Sequence, residues 1–176
     1  MEFVELPLAG AYLLKLEPRV DERGFFSRAF CVREFEQHGL NPRVTQCNLS
    51  YNHKRATLRG MHYQLAPHAE VKLVRCTAGV IYDVIIDLRC NSPTYLKWYG
   101  VELSAENRLQ LYVPEGFAHG YITLTDNAEV FYQVSEFYHP ESERGVRWND
   151  PLFKIDWPLK PEVISAKDAN YPDFQP

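Results

Sequence analysis

The chain has 176 residues, 45% of them hydrophobic and 24% charged, with a formal net charge of -4 and a pI near 5.9. That length suits one domain with a sizeable core, and the composition excludes a disordered chain. The acidic balance excludes a general nucleic-acid binder, whose phosphate contacts need a basic excess, yet it permits a local basic cluster for one small anion.

In chain order, the N-terminal "MEFVELPLAG" lacks a basic stretch followed by an apolar run. No apolar segment approaches the ~18 residues that would span a membrane, so a cytoplasmic protein is expected. "VREFEQHG", ending at Gly39, is the one good helical candidate, because glycine suits the position after a helix C-terminus. Beyond it, period-two alternation dominates. "VKLVRC", "GVIYDVIIDLR", "KWYGVEL", "LQLYV", "GYITL" and "EVFYQVSEF" all read as strands, separated by turn signals such as "CNSPT", "SAEN" and "TDN". In "GVIYDVIIDLR", Val80, Tyr82, Val84, Ile86 and Leu88 share one phase, and Asp83 and Asp87 fall in the other. About ten short strands without crossover helices predict an all-β sandwich or barrel, one domain over residues 1–176. The tail from Trp157, rich in proline and acidic residues, is predicted to wrap the surface. Cys31, Cys47, Cys76 and Cys90 have no CxxC spacing and are expected to be reduced thiols.

Charge is concentrated in "TLRGMHYQLAPHAEVKLVRC", Thr57 to Cys76. A hairpin folded about Pro67 would place His62 directly opposite Lys72, with Cβ atoms about 5 Å apart. Like charges repel, which favours the neutral imidazole that a general base needs. A solvent-facing edge hairpin with unrelated charges is the alternative. Tyr132, in phase with Val130 and Val134, should point inward, either as a core residue or as a phenol facing a cavity. Arg23 and Arg59 each stand beside a glycine, a setting that suits anion binding or a surface ion pair.

In "PEGFAHGYITL", Pro114, Gly116 and His119 form a PxGxxH pattern that resembles the second motif of the cupin superfamily, whose histidine often binds a metal. The companion HxH is lacking, since His62 is followed by Tyr63 and Gln64. Two imidazoles without a matching carboxylate make a poor site, so no metal is expected. Phosphate-loop, dinucleotide and serine-hydrolase motifs are also absent.

Together, "DERGFFSRAF", "QCNLS", "LRGMHYQ", "KLVRCTAGVIYDVIIDLR", "SPTY", "PEGFAHGY", "FYQVSEFY", "WNDP" and "SAKD" resemble the dTDP-4-dehydrorhamnose 3,5-epimerase family, in order from about Leu6 to Pro172. The resemblance implies a cupin-like double-stranded β-helix, or jelly-roll sandwich, with a short helix and a C-terminal extension. It further implies a homodimer with strands exchanged or shared, and no cofactor. The implied reaction inverts C3 and C5 of a nucleotide-linked 4-keto-6-deoxy hexose. By resemblance His62 is the base, Asp168 orients it, Lys72 stabilises the enolate and Tyr132 returns a proton from the opposite face. Arg23, Arg59, His119 and Lys167 match positions that hold the nucleotide and its diphosphate. Gln46, Asn48 and Glu143 match substrate contacts, and Tyr138 matches the aromatic that stacks on the base. Arg28 departs from the family pattern, where a glutamate is usual, and Gln133 stands where lysine is frequent. An arginine reaching the base edge would prefer the O2 and N3 acceptors of cytosine, which makes a C3- or C5-only epimerase of a CDP-linked 4-keto-6-deoxy sugar an alternative expectation. A non-catalytic sugar-nucleotide binder is the alternative from another class.

Overall fold

The computed structural model describes residues 1–176. Its elements in chain order are β1 (Glu2–Glu5), β2 (Tyr12–Lys15), β3 (Arg19–Asp21), β4 (Gly24–Phe26), α1 (Val32–Gln37), β5 (Gln46–Asn52), β6 (Thr57–Gln64), β7 (Lys72–Ala78) and β8 (Val80–Asp87). There follow β9 (Trp98–Ser104), β10 (Gln110–Val113), β11 (Phe117–Thr123), β12 (Ala128–Val134), β13 (Glu143–Gly145), β14 (Val163–Ile164) and α2 (Ala166–Ala169). One sheet runs β1-β2-β10-β7-β12-β5, and a second runs β13-β6-β11-β8-β9 with β14 added parallel to β6. The two face each other as a jelly-roll sandwich, while β3 and β4 form a separate hairpin. No helix is long and apolar enough to cross a membrane.

Side chains from both sheets fill the space between them: Val74, Leu111 and Val130 from the first meet Ile81, Ile85 and Tyr121 from the second. The outer faces are covered as well. The expected helix forms and lays Phe35 against Leu14, Leu73 and Tyr112 on the first sheet. It stops where Gly39 takes a positive φ of 69°. On the second sheet the C-terminal segment packs Phe153, Trp157 and Phe174 over Met61, Val84 and Ile86, in agreement with a tail that wraps the surface. The tail covers the Val84 and Ile86 phase of β8, and the other phase, with Ile81 and Ile85, faces the first sheet. Both phases of β8 are buried, so Asp83 and Asp87 lie inside with the aliphatic residues.

The hairpin expected about Pro67 does not form. β6 pairs with β11, β13 and β14, whereas β7 pairs with β10 and β12 in the other sheet. The 65–71 connection crosses the sandwich, because each strand finds its ladder partner in a distant part of the chain. His62 and Lys72 therefore face each other between the sheets and not along one ladder.

Two glycines let β6 and β11 approach closely. A Cβ on Gly60, whose φ is +107°, would stand 2.7 Å from Gly120 Cα, and one on Gly120 would stand 2.7 Å from Arg59 O. The irregularity between His119 and Tyr121 falls at this point.

Asp87 fastens the end of β8. Its carboxylate accepts from Arg89 Nε at 2.9 Å and from Thr94 Oγ1 at 2.7 Å, and Arg89 also donates to Ala9 O at 2.7 Å. Burial pushes this carboxyl up, but the donors from Arg89, Ser92 and Thr94 outweigh it and hold the pKa at about 2. A folded-state pKa below the unfolded value of ~4 means stabilisation that is present above that value and lost as pH falls through 2, worth about 2 kcal/mol. Asp87→Asn is expected to lower urea-unfolding stability by about 2–3 kcal/mol at pH 7. The gap between the two proteins should close as pH drops from about 4 to 2; a gap independent of pH would refute the assignment.

Candidate active site

His62 projects from β6 directly opposite His119 on β11, so the ladder places two imidazoles side by side. Each meets its own buried carboxylate. His62 Nε2 lies 2.7 Å from Asp168 Oδ1, and His119 Nε2 lies 2.9 Å from Asp83 Oδ1. Because a carboxylate accepts, Nε2 of His62 carries the hydrogen, and Nδ1 keeps the lone pair that can take a proton.

Local structure explains why Asp168 stands there. β14 pairs with the first residues of β6, which delivers α2 to the side of that strand. Ser165 then caps α2 by accepting from Asp168 N–H at 3.0 Å. The Asp168 side chain is fixed a second time, since Oδ2 accepts from Gly60 N–H at 3.1 Å. Burial pushes the Asp168 carboxyl up, but the hydrogen bond and charge of His62, with Gly60 N–H and Ser165, hold it below its ordinary value.

Lys72 enters from β7 in the facing sheet. Its buried Nζ lies 3.4 Å from His62 O and 3.2 Å from Glu70 Oε1. Tyr132 comes from β12, the neighbour of β7. Burial, followed by Tyr121 and Glu70, raises its phenol above the ordinary value despite Arg59. The tyrosine packs against the core, as its phase predicted, and it also lines a cavity.

That cavity has two adjoining lobes of about 540 and 380 Å³, and His62, Lys72 and Tyr132 line both. The larger lobe adds Arg59, His119, Lys167 and Asp168, a cationic wall suited to a diphosphate. The smaller adds Gln46, Asn48, Tyr138 and Glu143. The lobes are tied together through Glu143, which accepts from Tyr138 Oη at 2.7 Å and from Lys167 Nζ at 2.5 Å. Burial pushes the Glu143 carboxyl up, but these two donors bring it below its ordinary value. Gln46 Oε1 accepts from Tyr138 N–H at 2.8 Å and fixes the backbone beneath the exposed ring.

Two expected binding residues stand apart from this group. Arg23, at the tip of the β3–β4 hairpin, pairs with Asp21 at 2.6 Å, and its side chain is 84% exposed. Arg28 pairs with Glu34 at 3.1 Å. Neither lines either lobe, so within one chain Arg28 has no nucleobase edge to read. In the other direction, sequence reasoning missed Asp83, Glu70 and Ser165. The S-x-x-D spacing of "SAKD" is a capping signal that could have revealed Ser165. Glu70 stands two residues before Lys72, a spacing that puts both on one face of an extended chain and could have revealed it, whereas Asp83 is joined to His119 only by the fold.

Chemically, the arrangement sets a carboxylate-backed imidazole on one wall, and an ammonium and a phenol on the other. A flat carbanion held between them would meet a base on one face and an acid on the opposite face, with a cation at hand for developing negative charge.

Residues 5–176 match the family model of dTDP-4-dehydrorhamnose 3,5-epimerase. Over 165 residues the sequence is 47% identical to the dTDP-4-dehydrorhamnose 3,5-epimerase of Shigella flexneri, covering 92% of this chain and 91% of that protein. Among solved structures, the dTDP-4-dehydrorhamnose 3,5-epimerase of Elizabethkingia anophelis superposes with a TM-score of 0.95 at 44% identity, covering 99% of this chain and 96% of that one. The Bacillus anthracis enzyme of the same name, with TDP and PPi bound, gives a TM-score of 0.94 at 40% identity, covering 98% of this chain and 99% of that one.

Proposed function

The chain belongs to the dTDP-4-dehydrorhamnose 3,5-epimerase family, and from that premise we propose that it inverts C3 and C5 of a dTDP-linked 4-keto-6-deoxy hexose in deoxysugar biosynthesis. It is an isomerase, working as one cupin-like unit. The observation that carries the reading is the 2.7 Å contact of His62 with Asp168, facing Lys72 and Tyr132 across a shared cavity. A protein that only bound the sugar nucleotide would have no use for that pairing.

Hydrogens at C3 and C5 are both α to the C4 carbonyl. Nδ1 of His62 takes one, the electron pair moves to O4, and Asp168 supports the imidazolium that forms. Lys72 Nζ meets the charge on O4 in a buried setting, where a preorganised cation is most effective. Tyr132 then protonates the carbon from the other sheet's side, which inverts the centre. Arg59, His119 and Lys167 hold the diphosphate, and Tyr138 covers the base, with Gln46, Asn48 and Glu143 as polar contacts. No cofactor enters these steps. The TDP bound to the Bacillus anthracis relative favours dTDP over CDP.

The test is deuterium uptake from D₂O, followed by NMR, with dTDP- and CDP-4-keto-6-deoxyglucose in parallel. Uptake at C3 and C5 of the dTDP sugar, with inversion, is expected. No uptake with either sugar would sink the reading, and preference for the CDP sugar would overturn the nucleotide. Lys72→Gln should lower the exchange rate about 10²- to 10³-fold and leave dTDP affinity within a few-fold. Exchange at the wild-type rate would remove Lys72 from the scheme.

The working form in this proposal is a homodimer in the cytoplasm. The β3–β4 hairpin exposes Val20 by 77% and Phe26 by 73%, and edge strand β5 exposes Leu49 by 63%. A second copy would cover such apolar surface, and Arg23 and Arg28 would then reach the partner's cavity in place of their own. Four unpaired cysteines fit a reducing compartment.

A further inference from the structure

Outside the cavity, the turn after β6 and the segment after β12 bring two imidazoles face to face. The rings of His68 and His139 stack with centroids 3.5 Å apart and planes 11° from parallel. His139 Nδ1 lies 3.0 Å from Glu141 Oε1, and one donor atom from each of the three residues lies within 4.8 Å of the others. The histidines are half-buried and Glu141 is exposed, so a dissolved ion can reach all three. Their backbones are held in place. His139 N–H donates to Gln64 Oε1 at 2.6 Å, and His68 N–H donates to Leu65 O at 3.0 Å.

We propose that His68, His139 and Glu141 form a site for a divalent transition metal of the zinc class. Two imidazoles and one carboxylate select Zn²⁺, Ni²⁺ or Cu²⁺ over Mg²⁺ or Ca²⁺, which prefer all-oxygen shells. Bonds of about 2.1 Å place tetrahedral ligand atoms about 3.4 Å apart. The His139–Glu141 edge, at 3.0 Å, is already close to that spacing, and the donor of His68, within 4.8 Å of the others, must close in by at most about 1.4 Å. Imidazole binds a metal in its own plane, so the stack opens as the ion enters. Ser142 Oγ, 2.8 Å from His68 Nδ1, is placed to accept from that ring nitrogen's N–H while Nε2 turns to the ion. Water completes the shell on the exposed side.

Such an ion would clasp two segments that run into the cavity. The first leads from His68 to Glu70, the partner of Lys72, and the second joins Tyr138 to Glu143. The site does not depend on the epimerase reading, since none of its three ligands lines the cavity.

Two measurements on the full chain decide the matter: calorimetric titration with Zn²⁺, and the electron paramagnetic resonance spectrum with one equivalent of Cu²⁺. Expected are one Zn²⁺ per chain with a Kd below about 100 μM, weakened about 30-fold or more in both His68→Gln and His139→Ala, and a Cu²⁺ signal split by two imidazole nitrogens. A weaker Kd, an affinity kept in either variant, or coupling to fewer than two nitrogens overturns the site. The Cu²⁺ spectrum of the unaltered protein keeps the test decisive if a variant folds poorly.

Discussion

Changing His62 to asparagine is expected to slow deuterium uptake at C3 and C5 together, by about 10³- to 10⁴-fold. Asparagine retains a polar side chain that can still face Asp168, so the 2.7 Å contact is replaced and not simply emptied. What is lost is the ring nitrogen whose lone pair accepts the proton. Both centres should suffer alike, because one base serves two hydrogens flanking the same carbonyl. Nucleotide affinity should stay within a few-fold, since Arg59 and Lys167 carry the diphosphate wall without help from the imidazole. In kinetic terms kcat falls while KM changes little. NMR of exchange, paired with calorimetric titration of dTDP, separates the outcomes. Wild-type exchange in the variant would require another base, and a parallel collapse of dTDP binding would make His62 a binding residue.

Tyr132→Phe should divide the two halves of the reaction. The base on β6 is untouched, so proton removal continues and solvent deuterium still enters. Without the phenol on β12, return from the opposite face should slow about 10²- to 10⁴-fold, and the same-face route through His62 should dominate. The expected result is substrate that gains deuterium while keeping its configuration. The phenol's raised pKa, set by burial and by Tyr121 and Glu70, keeps it protonated and ready to donate. The loss of one hydroxyl leaves the ring's packing against the core in place, so folding should be preserved. Inversion at the wild-type rate would assign the acid's role elsewhere.

Most strands were legible because alternation and turn residues are local signals. The helix ending at Gly39, the inward Tyr132 and the covering tail were legible for the same reason. The error over Pro67 came from treating two adjacent strands as ladder partners, when β6 and β7 each pair with strands remote in sequence. His62 and Lys72 were nonetheless neighbours, through a contact across the sandwich at 3.4 Å. The alternation of β8 misled in another way. The phase of Val84 and Ile86, which looks like the inward one, is the outer face and lies under a tail more than sixty residues downstream, while Ile81, Asp83, Ile85 and Asp87 face the other sheet. Asp83 was invisible as a site residue because its partner His119 comes from β11, a strand remote in sequence. Arg23 matched the family motif and Arg28 departed from it, yet a motif carries no information about where the β3–β4 arm and the chain after it lie relative to the cavity.

In the proposed scheme the base hangs from β6 and the phenol from β12, and the walls that bear them belong to different sheets, joined by side-chain packing and a few hydrogen bonds. Removal and return of the proton are therefore separately heritable. Substitutions confined to the β12 wall can reshape or silence stereochemical inversion while the exchange machinery passes on unchanged, whereas loss of the base on the β6 wall stops both. A lineage built on this scaffold can reach single-centre epimerases, or catalysts that merely scramble hydrogen with solvent, through a few changes on one wall without reinventing the other.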